Sequence, residues 1–441
     1  MLGARTQGSR GNWKAVAAIA SLFLTSSASA ENFGAGTQGW DQKLYYSSRH
    51  SLPTNPIDGP SREYTGVPLG DWMVYASVLT GVVWDDNVFQ ANQHPTKDWG
   101  ARFRPSLEIV RNNGIHKSTV YGFIDARFYG QEDDANVVNG NLGASHVWEV
   151  QRDFVIKADL DYARRTDINN AGTLLTSTGP VTIVSPLDYG MTSGSLSAQK
   201  SFGPVFVALG TVVTWTNYDD VTDTLGQHFD QDYRDHAIYT LSGRIGSWFS
   251  PVFYAFLEPS QNWRRFRYSG FDSEGQRIVA GVGSDRISLF RGELFAGYQR
   301  QEYSDPAIAT IEGTVLGGRL FWYPTRDLVI AFDADRKLGD STLPSPGNPF
   351  GSPVEATSFA ARADYILTDT WSLSARFGYT NIEYKDSARS DDQWVAGTTM
   401  SYYIWRNMAA TFEWQYVNLQ SNFEDNSFER NVFTLGATYK Y

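Results

Sequence analysis

The side chains best suited to chemistry are six histidines, His50, His94, His116, His146, His228 and His236, and the acid pairs Asp85-Asp86, Asp133-Asp134, Asp219-Asp220 and Asp391-Asp392. A zinc site needs histidines at short, repeated intervals, and these are scattered. His146 beside Ser145, or His236 beside Asp235, supplies the residue types of a base with its nucleophile or orienting acid. Neighbours in an extended segment point to opposite faces, so neither pair converges. A hydrolase also needs a positioned nucleophile and an oxyanion site. The acid pairs offer oxygen ligands for calcium, yet no loop carries a recognisable ligand pattern, so solvated charge on an outer rim is expected. The sequence therefore predicts no catalytic residue, no metal site and no cofactor.

A second set of charges falls at alternate positions, which places them on one face of an extended chain. It comprises Arg102, Arg104 and Glu108, Asp125 and Arg127, Lys157 and Asp159, Arg244, Asp333 and Asp335, Arg362 and Asp364, Arg376, and Glu413. Such a face filters solutes by sign and size when it lines a pore. It equally makes a ladder of paired charges, and Arg362 with Asp364 could pair directly. Arg264, Arg265 and Arg267 form a separate cluster near the expected outer end of a strand. Those cations suit an anionic lipid headgroup or an acidic sugar, or they are solvated loop charge.

The elements that carry these residues are strands. Phe154, Ile156, Ala158, Leu160 and Tyr162 alternate with Lys157, Asp159 and Asp161; Trp371, Leu373, Ala375, Phe377 and Tyr379 alternate with Ser372, Ser374, Arg376 and Thr380. Met408, Ala410, Phe412, Trp414 and Tyr416 stand similarly against Thr411, Glu413 and Gln415. Slippage by one residue would exchange the faces. Strands are expected near 73–86, 97–111, 115–131, 139–150, 154–166, 188–200, 205–218, 232–248 and 252–268. Nine more are expected near 273–284, 287–303, 311–323, 327–338, 354–367, 371–386, 392–405, 408–422 and 428–441. Tight-turn residues such as Asn112-Asn113-Gly114, Gln151-Arg152-Asp153 and Arg406-Asn407 alternate with longer polar stretches such as 167–187, 219–231, 339–353 and 387–391.

An even number of strands, about eighteen, with short and long connections in turn, predicts an all-β fold: a transmembrane up-and-down antiparallel β-barrel with short periplasmic turns and long extracellular loops. The 24 tyrosines, 14 tryptophans and 40 glycines suit its aromatic girdles and curved wall. With no cysteine, no disulfide holds the fold. Arg5, Arg10 and Lys14 ahead of the apolar run Ala15 to Leu24, then Ala28-Ser29-Ala30, read as a signal peptide over 1–30 cleaved near Ala30. Its removal takes the formal net charge from -11 to -14, which argues against nucleic acid as a partner. Pro53, Pro56, Pro60 and Pro68 oppose regular strands in 31–70, leaving a flexible arm or a partial plug ahead of a barrel over 71–441. Phe433, Leu435, Ala437, Tyr439 and Tyr441 share one face of the last strand. That strand resembles the C-terminal signal of outer-membrane proteins, and the resemblance implies the barrel-assembly machinery as a partner during biogenesis.

The stretch Gly81-Val82-Val83-Trp84-Asp85-Asp86-Asn87-Val88-Phe89 resembles the opening motif of the putative beta-barrel porin type 2 family of Gram-negative outer-membrane proteins. Tyr233-Arg234-Asp235-His236 and the run from Pro259 through Asn262-Trp263-Arg264-Arg265-Phe266 to Gln276-Arg277 are similar to it as well. Here Ile278-Val279 follows Arg277, where such proteins carry Asp-Ser. The resemblance implies an outer-membrane location, contact with outer-membrane lipid, and a link to exopolysaccharide. Two functional expectations follow. One is a non-enzymatic, porin-like or polysaccharide-associated channel for small solutes or polysaccharide. The other is a structural barrel without an open pore, whose loops bind envelope polysaccharide or protein.

Overall fold

A computed structural model describes residues 66–441 except 168–172, 177–178, 183–185, 223–226, 288, 342–351 and 423–426, and leaves the side chains of 167–185 and 285–288 undescribed. Eighteen long strands form one closed antiparallel barrel. In chain order they are β1 (Trp72–Asp85), β2 (Asp98–Asn112), β3 (His116–Tyr129), β4 (Val137–Gln151), β5 (Phe154–Asp167) and β6 (Leu187–Phe202). Then come β7 (Val205–Tyr218), β8 (His236–Trp248), β9 (Phe253–Phe266), β10 (Ser273–Ile287), β11 (Phe290–Tyr303) and β12 (Ile311–Trp322). The last six are β13 (Leu328–Ser341), β14 (Ser352–Ile366), β15 (Trp371–Tyr384), β16 (Ser390–Trp405), β17 (Met408–Ser421) and β18 (Phe428–Lys440). Each pairs with its neighbours, and β1 closes on β18 from Ser77↔Lys440 to Asp85↔Val432. Tyr441 extends that seam, its N–H donating to Ala76 O at 2.8 Å. Of 31–70 only the last residues are described: Val67–Leu69 folds back on Trp72–Val74.

Closure satisfies the backbone without an exposed edge, which a strand crossing hydrocarbon requires. The side-chain alternation assigns the two faces. Leu435, Val82, Phe103, Leu142, Leu160 and Leu294 are exposed on the outside, whereas Arg102, Asp125, Arg244 and Thr434 are buried on the inside. Trp99, Trp215 and Trp394 ring the long-loop end and Phe249, Trp371, Trp405 and Tyr441 the short-turn end, as interfacial girdles do. The terminal residues Leu435, Tyr439 and Tyr441 face outward with Phe433 and Ala437, as their spacing requires. Connections alternate as expected, although 385–389 is no longer than the opposite-rim turn 323–327.

Prolines sit where the ladder tolerates a missing donor. Pro204 and Pro251 occupy turns, and Pro259 keeps its pairing with Ile278 on β10 while the β8–β9 register skips the positions opposite it. At one rim turn, the Lys200 ammonium 2.9 Å from Asp153 and its hydrogen bond hold that carboxyl below the usual carboxylate range.

Three long loops close with one device. Asp133–Ala135, Asp232–Arg234 and Ser269–Phe271 each form a single 3-10 turn. The next residue, Asn136, Asp235 or Asp272, accepts through its side chain from the N–H that ends the preceding strand, at 2.7, 2.8 and 2.7 Å from Tyr129, Tyr218 and Phe266. Burial pushes the Asp235 carboxyl above its usual range even though this bond favours the charged form. Each turn sends one side chain inward. Ala135 joins Val83, Val88, Tyr129 and Val432, Arg234 lies 4.4 Å over Tyr218, and Phe271 meets Phe266 edge-on at 5.2 Å. The long loops thus narrow the outer mouth. A sequence signal existed for this, since Asp or Ser at the start is followed three residues later by Asn or Asp.

Candidate functional site

Strand alternation directs all fourteen alternate-position charges into the lumen, and the wall gathers them into separate groups. The largest straddles the closing seam. Arg102 on β2 makes a bidentate pair with Asp125 on β3 at 2.7 and 2.8 Å, and it also bonds Glu413 on β17, with β1 and β18 between. Such a reach is open because the Cα row running from Arg102 is Gly81, Gly436 and Thr411. No side chain stands in its way until β17. A Cβ on Gly81 would also meet Leu435 O at 2.6 Å, so the two seam strands approach more closely than a larger residue allows. Gly81→Val is expected to cost about 1–3 kcal/mol by overpacking. The temperature at which the folded band is lost in unboiled SDS gels checks it, and an unchanged transition would refute the seam argument.

Arg127 adds to Asp125 at 3.8 Å, and Arg362 binds Asp364 at 2.7 Å, with Ser374 donating to the same carboxylate at 2.6 Å. Arg104 stacks 5.0 Å over Phe123, and Arg376 lies within electrostatic reach of Glu413, Arg127, Arg102 and Arg362. Five guanidiniums, on residues 102, 104, 127, 362 and 376, therefore share one stretch of wall with three carboxylates, on 125, 364 and 413. Elsewhere the charges pair. Lys157 sits 3.6 Å from Asp159, Asp333 binds Arg319, and Asp335 lies 2.9 Å from Lys337. Glu108 faces inward between Tyr75 and Tyr121.

Arg244 organises the opposite wall. It donates to Glu258 at 2.6 Å and to both oxygens of Glu293 at 2.9 and 3.2 Å while covering the Phe256 ring at 4.0 Å. This cluster occupies the place where Pro259 interrupts the β8–β9 ladder, so side chains bridge what the backbone does not. Arg277 lies 3.6 Å from Glu258 and 5.1 Å over Phe295.

The expected arginine cluster is not one site. Arg264 points inward, is 5% exposed and binds Asp340; Arg265 points outward to Glu274 at 2.7 Å, and Arg267 turns to Asp232 at 3.0 Å. Strand alternation separates 264 from 265, and 267 already lies beyond the strand end. The expectation of solvated acid pairs also fails at two places. Asp85 is fully buried, accepting from Arg430 Nη2 at 2.5 Å, Tyr129 Oη at 2.7 Å and Asn87 N–H at 3.1 Å. Asp391 is fully buried and accepts from Arg389 at 2.7 Å. Within the first-strand motif, Asp86 holds Asn431 by both its N–H and its amide at 2.6 and 2.9 Å, and Asn87 bonds Ala91 and Glu429. That motif is a clasp joining the first and last strands.

His146 meets Ser118 at 2.8 Å and His116 at 3.3 Å, rather than Ser145, on the outer face near the short-turn rim. The His236 imidazole bonds Arg234 O at 2.8 Å and stacks on Phe266. Among the described residues, the carboxylates of Asp220, Asp230 and Asp232 approach within 4.8 Å of one another.

A closed barrel with an apolar outer band, aromatic girdles and a charged interior defines an outer-membrane β-barrel protein. The chain belongs to the family described as Putative beta-barrel porin 2, whose model matches residues 60–441. No curated protein matches the sequence. Among solved structures, a BenF-like porin from Pseudomonas fluorescens is similar at 10% identity and a TM-score of 0.42, covering 84% of this chain and 99% of that one. The siderophore receptor PirA from Pseudomonas aeruginosa is 10% identical with a TM-score of 0.41, over 85% of this chain and 81% of that one. The siderophore receptor PiuA from Acinetobacter baumannii is 10% identical with a TM-score of 0.44, over 85% and 82%.

Proposed function

We propose that this protein is a non-enzymatic, anion-preferring channel whose solutes are small acidic molecules or acidic saccharides. The excess of guanidinium over carboxylate along the Arg102 to Arg376 wall carries the reading, because a stretch of lumen with a surplus of one sign of charge concentrates the opposite sign. The signal peptide over 1–30 delivers the chain to the envelope, and its last strand engages the barrel-assembly machinery. Polysaccharide transport fits the same wall, since acidic sugars carry carboxylates that guanidiniums bind in a fork. A barrel of this size can enclose an aqueous channel.

The alternative is an interaction barrel without through-flow, and the inward loop residues Ala135, Arg234 and Phe271 support it. Planar-bilayer recording decides between them. Under a potassium chloride gradient the expected result is discrete openings with a reversal potential on the chloride side. Silence from the full chain and from a chain lacking residues 31–70 would sink the channel reading.

A further inference from the structure

The β12–β13 ladder is incomplete. It runs from Trp322↔Ile330 only to Leu316↔Arg336, although β12 continues to Ile311 and β13 to Ser341. Their other neighbours stay paired throughout, β11 with β12 to Gln301↔Ile311 and β13 with β14 to Ser341↔Ser352.

The side chains show where the free part of β13 goes. Leu338 lies on the face of β13 that points to lipid lower down, yet it is 2% exposed, and its Cδ2 lies 3.9 Å from where a Cβ on Gly313 would stand. Gly313 faces the lumen, in phase with Gly317, which the inward Phe295 ring covers. The outer end of β13 therefore lies inside β12. Its backbone is met by a side chain instead of a strand: the Gln299 amide on β11 donates to Leu338 O at 3.1 Å and accepts from Leu338 N at 3.4 Å. Asp340 reaches further along the wall and binds Arg264 of β9 and Tyr303 of β11.

We propose that the outer half of β13, carrying β14 with it, is a movable gate with a tucked and a zipped position. The tucked position is the one described. In the zipped position the existing register continues outward, with Gly313 opposite Gly339 and Ile311 opposite Ser341. Zipping would restore the missing ladder and withdraw two strand ends from the lumen. Three features oppose it. The Gln299 bonds to the Leu338 backbone would break, the Asp340 contacts to Arg264 and Tyr303 would break, and Asp340 would come opposite Glu312, a like-charge pair that destabilises a strand pairing. The tucked position is thus held by the side-chain contacts described, and the zipped one would be held by the restored ladder, so the two compete as the states of a two-state element do. The gate rests on the channel reading only for its conductance readout.

The chain has no cysteine, so introduced thiols report position directly. Gly313→Cys with Leu338→Cys can join only in the tucked position, where those side chains meet. Gly313→Cys with Gly339→Cys can join only when zipped, because residue 339 points away from β12 when β13 is tucked, whereas opposite residues of an antiparallel pair lie within disulfide range. In outer-membrane vesicles the expected result is cross-linking of both pairs, with Asp340→Asn raising the Gly313–Gly339 yield several-fold. In planar bilayers the oxidised 313–339 pair should raise conductance, and dithiothreitol should reverse the rise.

Cross-linking of the 313–338 pair alone, in both wild-type and Asp340→Asn backgrounds, would make β13 a fixed wall and overturn the gate. Failure of both pairs would overturn the tucked arrangement itself. Cross-linking of both pairs without any conductance would keep the movement and reject the channel. If Asp340→Asn does not fold, the two pairs in the otherwise wild-type chain still decide, with the single-cysteine chains as folding controls.

Discussion

Replacing Asp85 by alanine is expected to destabilise the barrel by about 3–5 kcal/mol, because it leaves the buried Arg430 guanidinium without its counter-ion. The carboxylate has no solvent exposure, and Arg430 contacts it through Nε at 3.1 Å and Nη2 at 2.5 Å, with the Tyr129 hydroxyl completing the shell. Because the pair links β1 to β18, its loss acts where the barrel closes. Unboiled SDS gels across a temperature series should show the folded form of Asp85→Ala disappearing well below wild type. Asp85→Ala with Arg430→Met should recover much of the difference, since removing both charges also removes the uncompensated one. A single variant as stable as wild type, or a double variant no better than the single, would refute the clasp.

The eighteen strands were legible because a barrel wall imposes the same constraint on every residue it contains: one face meets lipid and the other meets water. Arg376 between Ala375 and Phe377 declares its side without reference to any partner. The groupings across strands were not legible, because the partner lies far away in sequence. Nothing local to Asp85-Asp86 distinguishes a buried acid from a rim acid; Arg430 makes the difference, and it arrives with the last strand. The Arg264 cluster misled for a related reason. Adjacent basic residues look like one patch, but the strand turns alternate ones to opposite faces, and the acid that neutralises Arg264 comes from the inward end of β13. That inward turn has no periodic signature, since Gly339 to Ser341 reads as the start of the polar stretch 339–353. Only the truncated pairing with β12 shows it.

The clasp and the charged wall share the closing seam, and this separates structural arginines from functional ones. Arg102 is 2% exposed and saturated by Asp125 and Glu413, so its removal should act mainly on stability. Arg430 is of the same kind. Arg104 stacks over Phe123 and Arg376 lies within electrostatic reach of Glu413, and both add positive charge to the stretch of wall where guanidiniums outnumber carboxylates.

Arg104→Glu with Arg376→Glu is therefore expected to invert ion preference while keeping the barrel folded. The substitutions change the wall by four charge units. At ~8 Å from the wall a unit charge contributes about 0.5 kcal/mol in water, so the unscreened change is about 2 kcal/mol. A Debye length of ~10 Å at 0.1 M salt leaves about half of that, roughly a fivefold change for each ion in opposite directions and so about a 25-fold change in the ratio of anion to cation permeability. In 1 M salt, with a Debye length of ~3 Å, the difference should nearly vanish. Reversal potentials measured at both salt concentrations test the sign and the screening together. A wild-type ratio unchanged by the double substitution at 0.1 M would place the selectivity elsewhere, whereas a shift that persists in 1 M salt would mean that the pore had changed shape. Only an inversion that salt abolishes identifies these two guanidiniums as the source of the preference.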